Sequence, residues 1–215
     1  QLEQGVTMKI SLRADYPLDD ATAKAATGRT LSEWYALLDA SGGPEQGRRA
    51  IGSLLHDSHH VAPWWAATIN VGYEAAHGRC EKDGRPKGYM ICSTKAIKAT
   101  AETCFAAFAS AAALDRWLGS GHTLSFVEGG SLDNTDGNRA RIRKINPGKK
   151  IVMIWEQIDA APDTPVEVAF QASGAKTTVM VSHDRLQTRA ETDGLRAAWG
   201  EALTRLKASL ECASS

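Results

Sequence analysis

The stretch that most constrains this chain is Lys176 to Glu211, KTTVMVSHDRLQTRAETDGLRAAWGEALTRLKASLE. Thr177 to Ser182 is β-prone and hands over, through His183 to Gln187, to a long helical pattern. Leu195, Trp199, Ala202, Leu203, Leu206 and Leu210 fall on one helical face, with Arg196, Glu201, Arg205 and Lys207 elsewhere. Thr188 followed by Glu191 fits a capping box at the helix start. A helix this long gains most of its stability from tertiary packing, so its wide apolar stripe needs a large apolar partner. The strands before it are the candidate.

Those strands can be read from turn signals. Tyr89 to Ile97 reads as a first strand, and Thr100 to Leu118 as alanine-rich helix carrying Phe105, Phe108, Leu114 and Trp117. Asp136-Gly137 and Asn146-Pro147-Gly148 separate strands at His122–Leu132, Asn138–Ile145 and Lys149–Gln157. Ala160 to Pro165 turns into Val166–Ala172, and Ser173-Gly174-Ala175 turns into the last strand. Strand, helices, about five antiparallel strands and a long helix describe an α+β fold.

Up to about Thr27 the chain is mixed, with Tyr16-Pro17 and Asp19-Asp20, and reads as an extended or poorly ordered arm without a motif. The residues before Met8 read as an expression remnant, with Met8 the natural start. A helix then opens at Thr30, with Glu33 completing a capping box, and runs through Trp34, Leu37 and Leu38 to Gly42-Gly43. Pro44 opens a second, with Ile51, Leu54 and Leu55, and Pro63 a third, with Trp64, Trp65, Ile69, Val71 and Tyr73, stopping at Gly78. Arg79 to Gly88, charged and rich in Gly and Pro, is the natural linker. The expected domains are an arm over 1–27, a helical domain over 28–79, a linker over 80–88 and a second domain over 89–212.

Two stretches carry a resemblance. TTVMVSHDRLQTRAETDGLRAAWGEALTRLKASLE and KAIKATAETCFAAFASAAALDRWLGSG resemble the end and start of an SRPBCC (START-like, Bet v-like) domain of the branch named after the activator of the heat-shock-protein ATPase. The resemblance covers roughly the last 125 residues. It implies a helix-grip fold, a curved antiparallel sheet around the C-terminal helix with a cavity between them. ATGRTLSEWYALLDASG and LLHDSHHVAPWWAATINVGYEAAHGR resemble a small bacterial domain of unknown function, which brings no activity with it. His60 stands where that pattern leads us to expect glycine, which puts in question the left-handed helix end expected there.

Composition bounds the partners. Among 215 residues, 25 basic and 25 acidic side chains cancel, so no global field draws in nucleic acid or an anionic membrane. Cys80, Cys92, Cys104 and Cys212 show neither CxxC nor Cys/His ligand spacing, which argues against zinc and a disulfide framework; reduced thiols in the cytoplasm are the expectation. No apolar run reaches bilayer length, and QLEQGVTMKISL lacks the apolar core of a signal peptide. No cofactor motif is present.

The implied cavity is the leading site. Leu195, Trp199 and Leu203 from the helix, with Phe126, Met153, Trp155, Phe170 and Met180 from alternating strand positions, are its expected lining, unless the same side chains fill it as ordinary core. IVMIW (Ile151–Trp155) is apolar on both faces; either its outer face is covered by the helical unit, through Trp34, Trp64 and Trp65, or by a second subunit, or it sits at the sheet centre. His56, His59 and His60 lie at helical spacing, but no third ligand or HExxH accompanies them. His183-Asp184 lacks a nucleophile, and His183 reads as a structural hydrogen-bonding residue that fixes the turn into the helix. Arg139, Arg141 and Arg143 alternate as a basic stripe, read as cross-paired with acidic neighbours. Asp133 to Gly137 lacks the calcium-loop spacing and reads as a hairpin. The expectation is a bacterial protein that binds a small hydrophobic ligand in the helix-grip cavity, as monomer or homodimer, with no catalytic residue assigned; the alternative is a protein-interaction or chaperone-linked adaptor module.

Overall fold

A computed structural model describes residues 6–157 and 160–212. The chain forms two compact units, one from the described residues of 6–13, 90–186 and 190–212, the other from 14–89 and 187–189.

The helical unit contains four α-helices, not three: α1 (Asp20–Thr27), α2 (Leu31–Ala40), α3 (Gly47–Ser53) and α4 (Pro63–Ala76). The expected arm therefore contains a helix. Asp19 caps it by accepting from the Thr22 amide at 2.7 Å, and Gly28 ends it at φ 82°. Its alanine-rich sequence buries only Ala23, which left no periodic stripe to read. The expected capping box at Thr30 is formed: the Glu33 amide donates to Thr30 Oγ1 at 3.1 Å and the Thr30 amide to Glu33 Oε2 at 2.8 Å. Pro44 opens only a single 3-10 turn before α3. Trp34, Leu38, Ile51, Leu55, Trp65, Ile69 and Tyr73 form the core. Trp34 and Trp65 are thus buried in the core of this unit. The Tyr73 hydroxyl donates to Asp39 at 2.6 Å, and burial together with that carboxylate pushes its pKa up to about 12. Buried Glu74 is ion-paired with Arg48.

After α3 the backbone widens into a π turn, Leu54–Ser58, closed by the His59 amide on the Leu54 carbonyl at 3.2 Å. His60 then takes φ 54°. The left-handed helix end is therefore present although its residue is not glycine, and the histidine bears the steric cost of a Cβ there.

The second unit is a seven-stranded antiparallel open sheet gripping one long helix. Its strands are β1 (Tyr89–Ile97), β2 (Thr123–Leu124), β3 (Ser131–Asp133), β4 (Arg139–Asn146), β5 (Lys150–Trp155), β6 (Thr164–Ser173) and β7 (Lys176–Leu186), in the order β1-β7-β6-β5-β4-β3-β2. Two short helices, α5 (Ala101–Ala106) and α6 (Ala111–Leu114), follow β1, and α7 (Arg189–Cys212) ends the unit. The single strand expected over His122–Leu132 breaks into β2 and β3, because the chain folds tightly back at Gly130, where a Cβ would overlap the Ser125 carbonyl. On α7, Leu195, Trp199, Ala202, Leu203 and Leu206 are all at most 1% exposed, facing Ile151, Met153 and Trp155 of β5 and the inner residues of β6 and β7. Arg205 Nε donates to the Trp117 carbonyl and Lys207 Nζ to that of Ala96, pinning the C-terminal half of the helix.

β5 is the middle strand of the seven, and its outer residues Val152 and Ile154 are half-buried between neighbouring strands. Of the two expectations for the segment before the helical unit, the extended one fits and it is docked: Met8 is 1% exposed, with its amide on Asp136 Oδ2 and its carbonyl taking a hydrogen bond from Asn138 Nδ2, both at 3.2 Å.

Because His60 takes a left-handed conformation, His60→Gly should raise the stability of the helical unit by about 1 kcal/mol, and a β-branched residue there should lower it. The shift in urea midpoint, followed by circular dichroism, checks the sign.

Candidate functional site

The interior between α7 and the sheet is the candidate site. Its void is lined by eleven apolar side chains, with Leu114 and Leu118 at and just beyond α6, Leu124 and Leu132 from the short strands, Ile142 from β4, and Ile151 from β5. Of the residues expected from sequence, Phe126, Met153, Trp155 and Trp199 line it. Phe170, Leu195 and Leu203 are buried in the surrounding core without lining the void. Met180 stands on the outer face of β7, because Thr177, Val179, Val181 and His183 take the inner positions. The lining from β4 and the leucines around α6 went unassigned, although the alternation of Ala140 and Ile142 between arginines was a usable signal.

The void measures about 10 Å³. That is barely room for one water. Nearby polar atoms are turned away from it. Trp117 Nε1 donates to the Ala107 carbonyl at 3.0 Å, Trp155 Nε1 to Gln157 Oε1 at 3.2 Å, and Trp199 Nε1 to His183 Nδ1 at 3.3 Å. Trp155 and Trp199 meet edge to face with centroids 5.3 Å apart.

His183 is fully buried and takes part in a one-way hydrogen-bond chain. An indole nitrogen only donates, so His183 Nδ1 must accept from Trp199 and Nε2 must carry the proton. Nε2–H then donates to Thr164 Oγ1 at 2.7 Å, and that hydroxyl donates to the Ala161 carbonyl at 2.6 Å. Every donor has a defined acceptor, and a second ring proton would point at the indole N–H. Burial accordingly brings the His183 pKa down to about 3. The ring is a neutral structural bridge between β6, β7 and α7, not a proton shuttle.

The other candidates resolve as structural features. His56 Nδ1 lies 3.0 Å from the Val61 carbonyl, and the His59 ring packs edge-on to Trp34 at 5.3 Å. Among the described residues no group of three His, Cys, Asp or Glu side chains could hold a metal. Arg139 pairs with Asp133 at 2.9 Å, Arg141 with Glu156 at 3.0 Å and Lys150 with Glu167 at 3.0 Å. Asp133 to Gly137 makes the β3–β4 turn, with Asn134 Oδ1 accepting from the amides of Asp136 and Asn138. That orientation leaves Asn134 Nδ2 to face His122 Nε2 at 3.2 Å, while His122 Nδ1 donates to Asp115 at 2.7 Å. Burial pushes the Asp115 carboxyl up, but the His122 hydrogen bonds hold it below its usual value. No helix among the described residues is long and apolar enough to cross a membrane.

Because folded His183 stays neutral while the unfolded ring titrates near 6.5, the unfolded state binds the extra proton between about pH 6.5 and 3. Stability therefore falls as pH drops through that window, by up to about 1.4 kcal/mol per pH unit from this group. His183→Gln should be less stable at pH 7.5 yet lose less between pH 7.5 and 5.5 in urea titrations; equal losses in both proteins would refute the neutral assignment.

The model of a family described as Activator of Hsp90 ATPase homolog 1-like protein matches residues 98–211. No curated protein matches the chain. Among solved structures, the Aha1 dimer from Colwellia psychrerythraea is 20% identical over 57% of this chain and 96% of that one, with a TM-score of 0.53. An HSP90 activator from Plasmodium falciparum is 20% identical over 58% and 97%, with a TM-score of 0.53. CalU16 from Micromonospora echinospora is 18% identical over 56% and 75%, with a TM-score of 0.51. These likenesses establish the shared helix-grip fold. With the family match spanning more than half of its length, this chain belongs to the family of activator of Hsp90 ATPase homolog 1-like proteins.

Proposed function

We propose that this protein binds a small, mainly apolar molecule between α7 and the sheet, without catalysing its conversion. The observation that carries this reading is the wholly apolar lining of the void combined with a thin wall on one side. Leu124 and Phe126 are half-buried, and the strands that present that wall are only two and three residues long. β2 and β3 pair over only two and three positions at the sheet edge. Beyond them the wall is held by Ser125 on Ser131 and by Gly129 and Gly130 on Ile142, so its outward movement breaks fewer hydrogen bonds than breaching the long β5–β7 registers. A void of about 10 Å³ then represents the closed state, and a ligand enters by displacing the wall. No charged group lines the interior, which selects against anionic or cationic ligands.

A second reading rests on the outer face. A register shift between Ile142 and Lys144 marks a β-bulge that turns both Arg143 and Lys144 to solvent. Neither has an acidic partner among the described residues, which favours contact with an acidic surface, as an adaptor module would make. The likeness to a solved Aha1 dimer supports a homodimer as part of either reading.

Met153→Trp fills the void at a cost of roughly 1–3 kcal/mol in overpacking. The neutral fluorophore N-phenyl-1-naphthylamine should bind the wild type and lose at least about ten-fold affinity for the plugged protein. Unchanged binding in a cooperatively folded variant would sink the interior site. Native mass spectrometry of the same samples reads any co-purified mass and the oligomeric state. For the second reading, Arg143→Glu with Lys144→Glu should abolish capture of an acidic peptide while leaving fluorophore binding intact; capture that survives rules that surface out.

A further inference from the structure

The N-terminal segment Thr7 to Ser11 is bound in a built seat that neither its sequence nor the family match accounts for. At one end the β3–β4 turn grips its main chain. Asp136 accepts from the Met8 amide at 3.2 Å through Oδ2 and from the Thr7 hydroxyl at 3.1 Å through Oδ1. Asn138, fully buried, donates through Nδ2 to the Met8 carbonyl at 3.2 Å. The Met8 side chain is buried with it. At the other end the segment crosses α7 at Gly194, where a Cβ would overlap the Ser11 carbonyl oxygen and press on Ile10. Glycine inside a long helix costs about 1 kcal/mol relative to alanine, so its presence here is explained by the close crossing.

The two anchor points belong to the two elements that bound the void. Asn138 precedes Ala140, which pairs in register with Trp155, and the same hairpin continues back through Leu132 into β2 and the thin wall. Gly194 lies little more than one turn before Trp199 on α7. The segment thus bridges the β3–β4 turn, where hydrogen bonds hold Thr7 and Met8, and α7, where the Ser11 backbone lies close against Gly194.

We propose that Thr7–Ser11 is a strap that keeps the interior closed, and that its release from the Asp136–Asn138 seat and from Gly194 is the step that admits an apolar ligand. The strap is covalently continuous with the helical unit, so an event on that unit has a direct chain connection to the closure. This proposal rests on the interior-binding reading above.

Gly194→Ala tests it in the full-length protein, because the substitution favours the helix while expelling the strap. Asn138→Ala, which removes the carbonyl clamp and leaves α7 untouched, is the second variant. Uptake of N-phenyl-1-naphthylamine, followed by stopped-flow fluorescence, should be about ten-fold faster in each variant than in the wild type, and adding Met153→Trp should abolish it. Folding is verified by near-ultraviolet circular dichroism. If the wild type and both folded variants take up the fluorophore at the same rate, with Met153→Trp still blocking it, the strap proposal is overturned and the interior-binding reading stands. If no protein takes up the fluorophore in a manner sensitive to Met153→Trp, the interior reading fails and the strap proposal falls with it.

Discussion

The helix-grip unit depends on one burial event, the seating of the α7 apolar stripe in the curved inner face of the sheet. Leu195, Trp199, Leu203 and Leu206 are each all but inaccessible, and burial of side chains of this kind contributes about 1.5–3 kcal/mol apiece. The contact also sets the dielectric for everything near it. A ring as deep as His183 cannot hold a charge there, so the Trp199–His183–Thr164 chain is locked in one proton arrangement. Packing and hydrogen bonding specify the same helix position twice.

That solution leaves little empty space. The side chains that a ligand would touch are the ones that hold the fold together, and the void between them is close to water-sized. In the proposed reading, binding and stability draw on the same residues, and strand pairing around the interior is unequal. β5, β6 and β7 pair over long registers, whereas β2 and β3 pair over two and three positions. The wall carrying Leu124, Phe126 and Leu132 is the short-paired edge of the sheet. The N-terminal segment is fastened to that same wall, at its turn.

The helical unit follows a different logic. It is a small core closed by caps and buried polar pairs, with Tyr73 on Asp39 and Glu74 on Arg48. It tolerates a left-handed histidine at the end of a π turn, a local cost that the packing of Trp34, Leu55 and Trp65 outweighs.

Sequence by itself determined the elements whose signals are local and periodic. The α7 stripe, the bounds of β1, the Thr30–Glu33 capping box and the turns at Asp136-Gly137 and Asn146-Pro147-Gly148 could all be read, as could four of the residues around the void, Phe126, Met153, Trp155 and Trp199. Only the tertiary structure decided the rest. Met180 falls on the outer face because strand register is set by pairing with β6, not by hydrophobicity. The volume of the interior is a small difference between large side-chain volumes, which no residue list can provide. The docking of Met8 against Asp136 and Asn138 joins positions 128 to 130 residues apart, and a short irregular segment carries no periodic signal to announce such a contact.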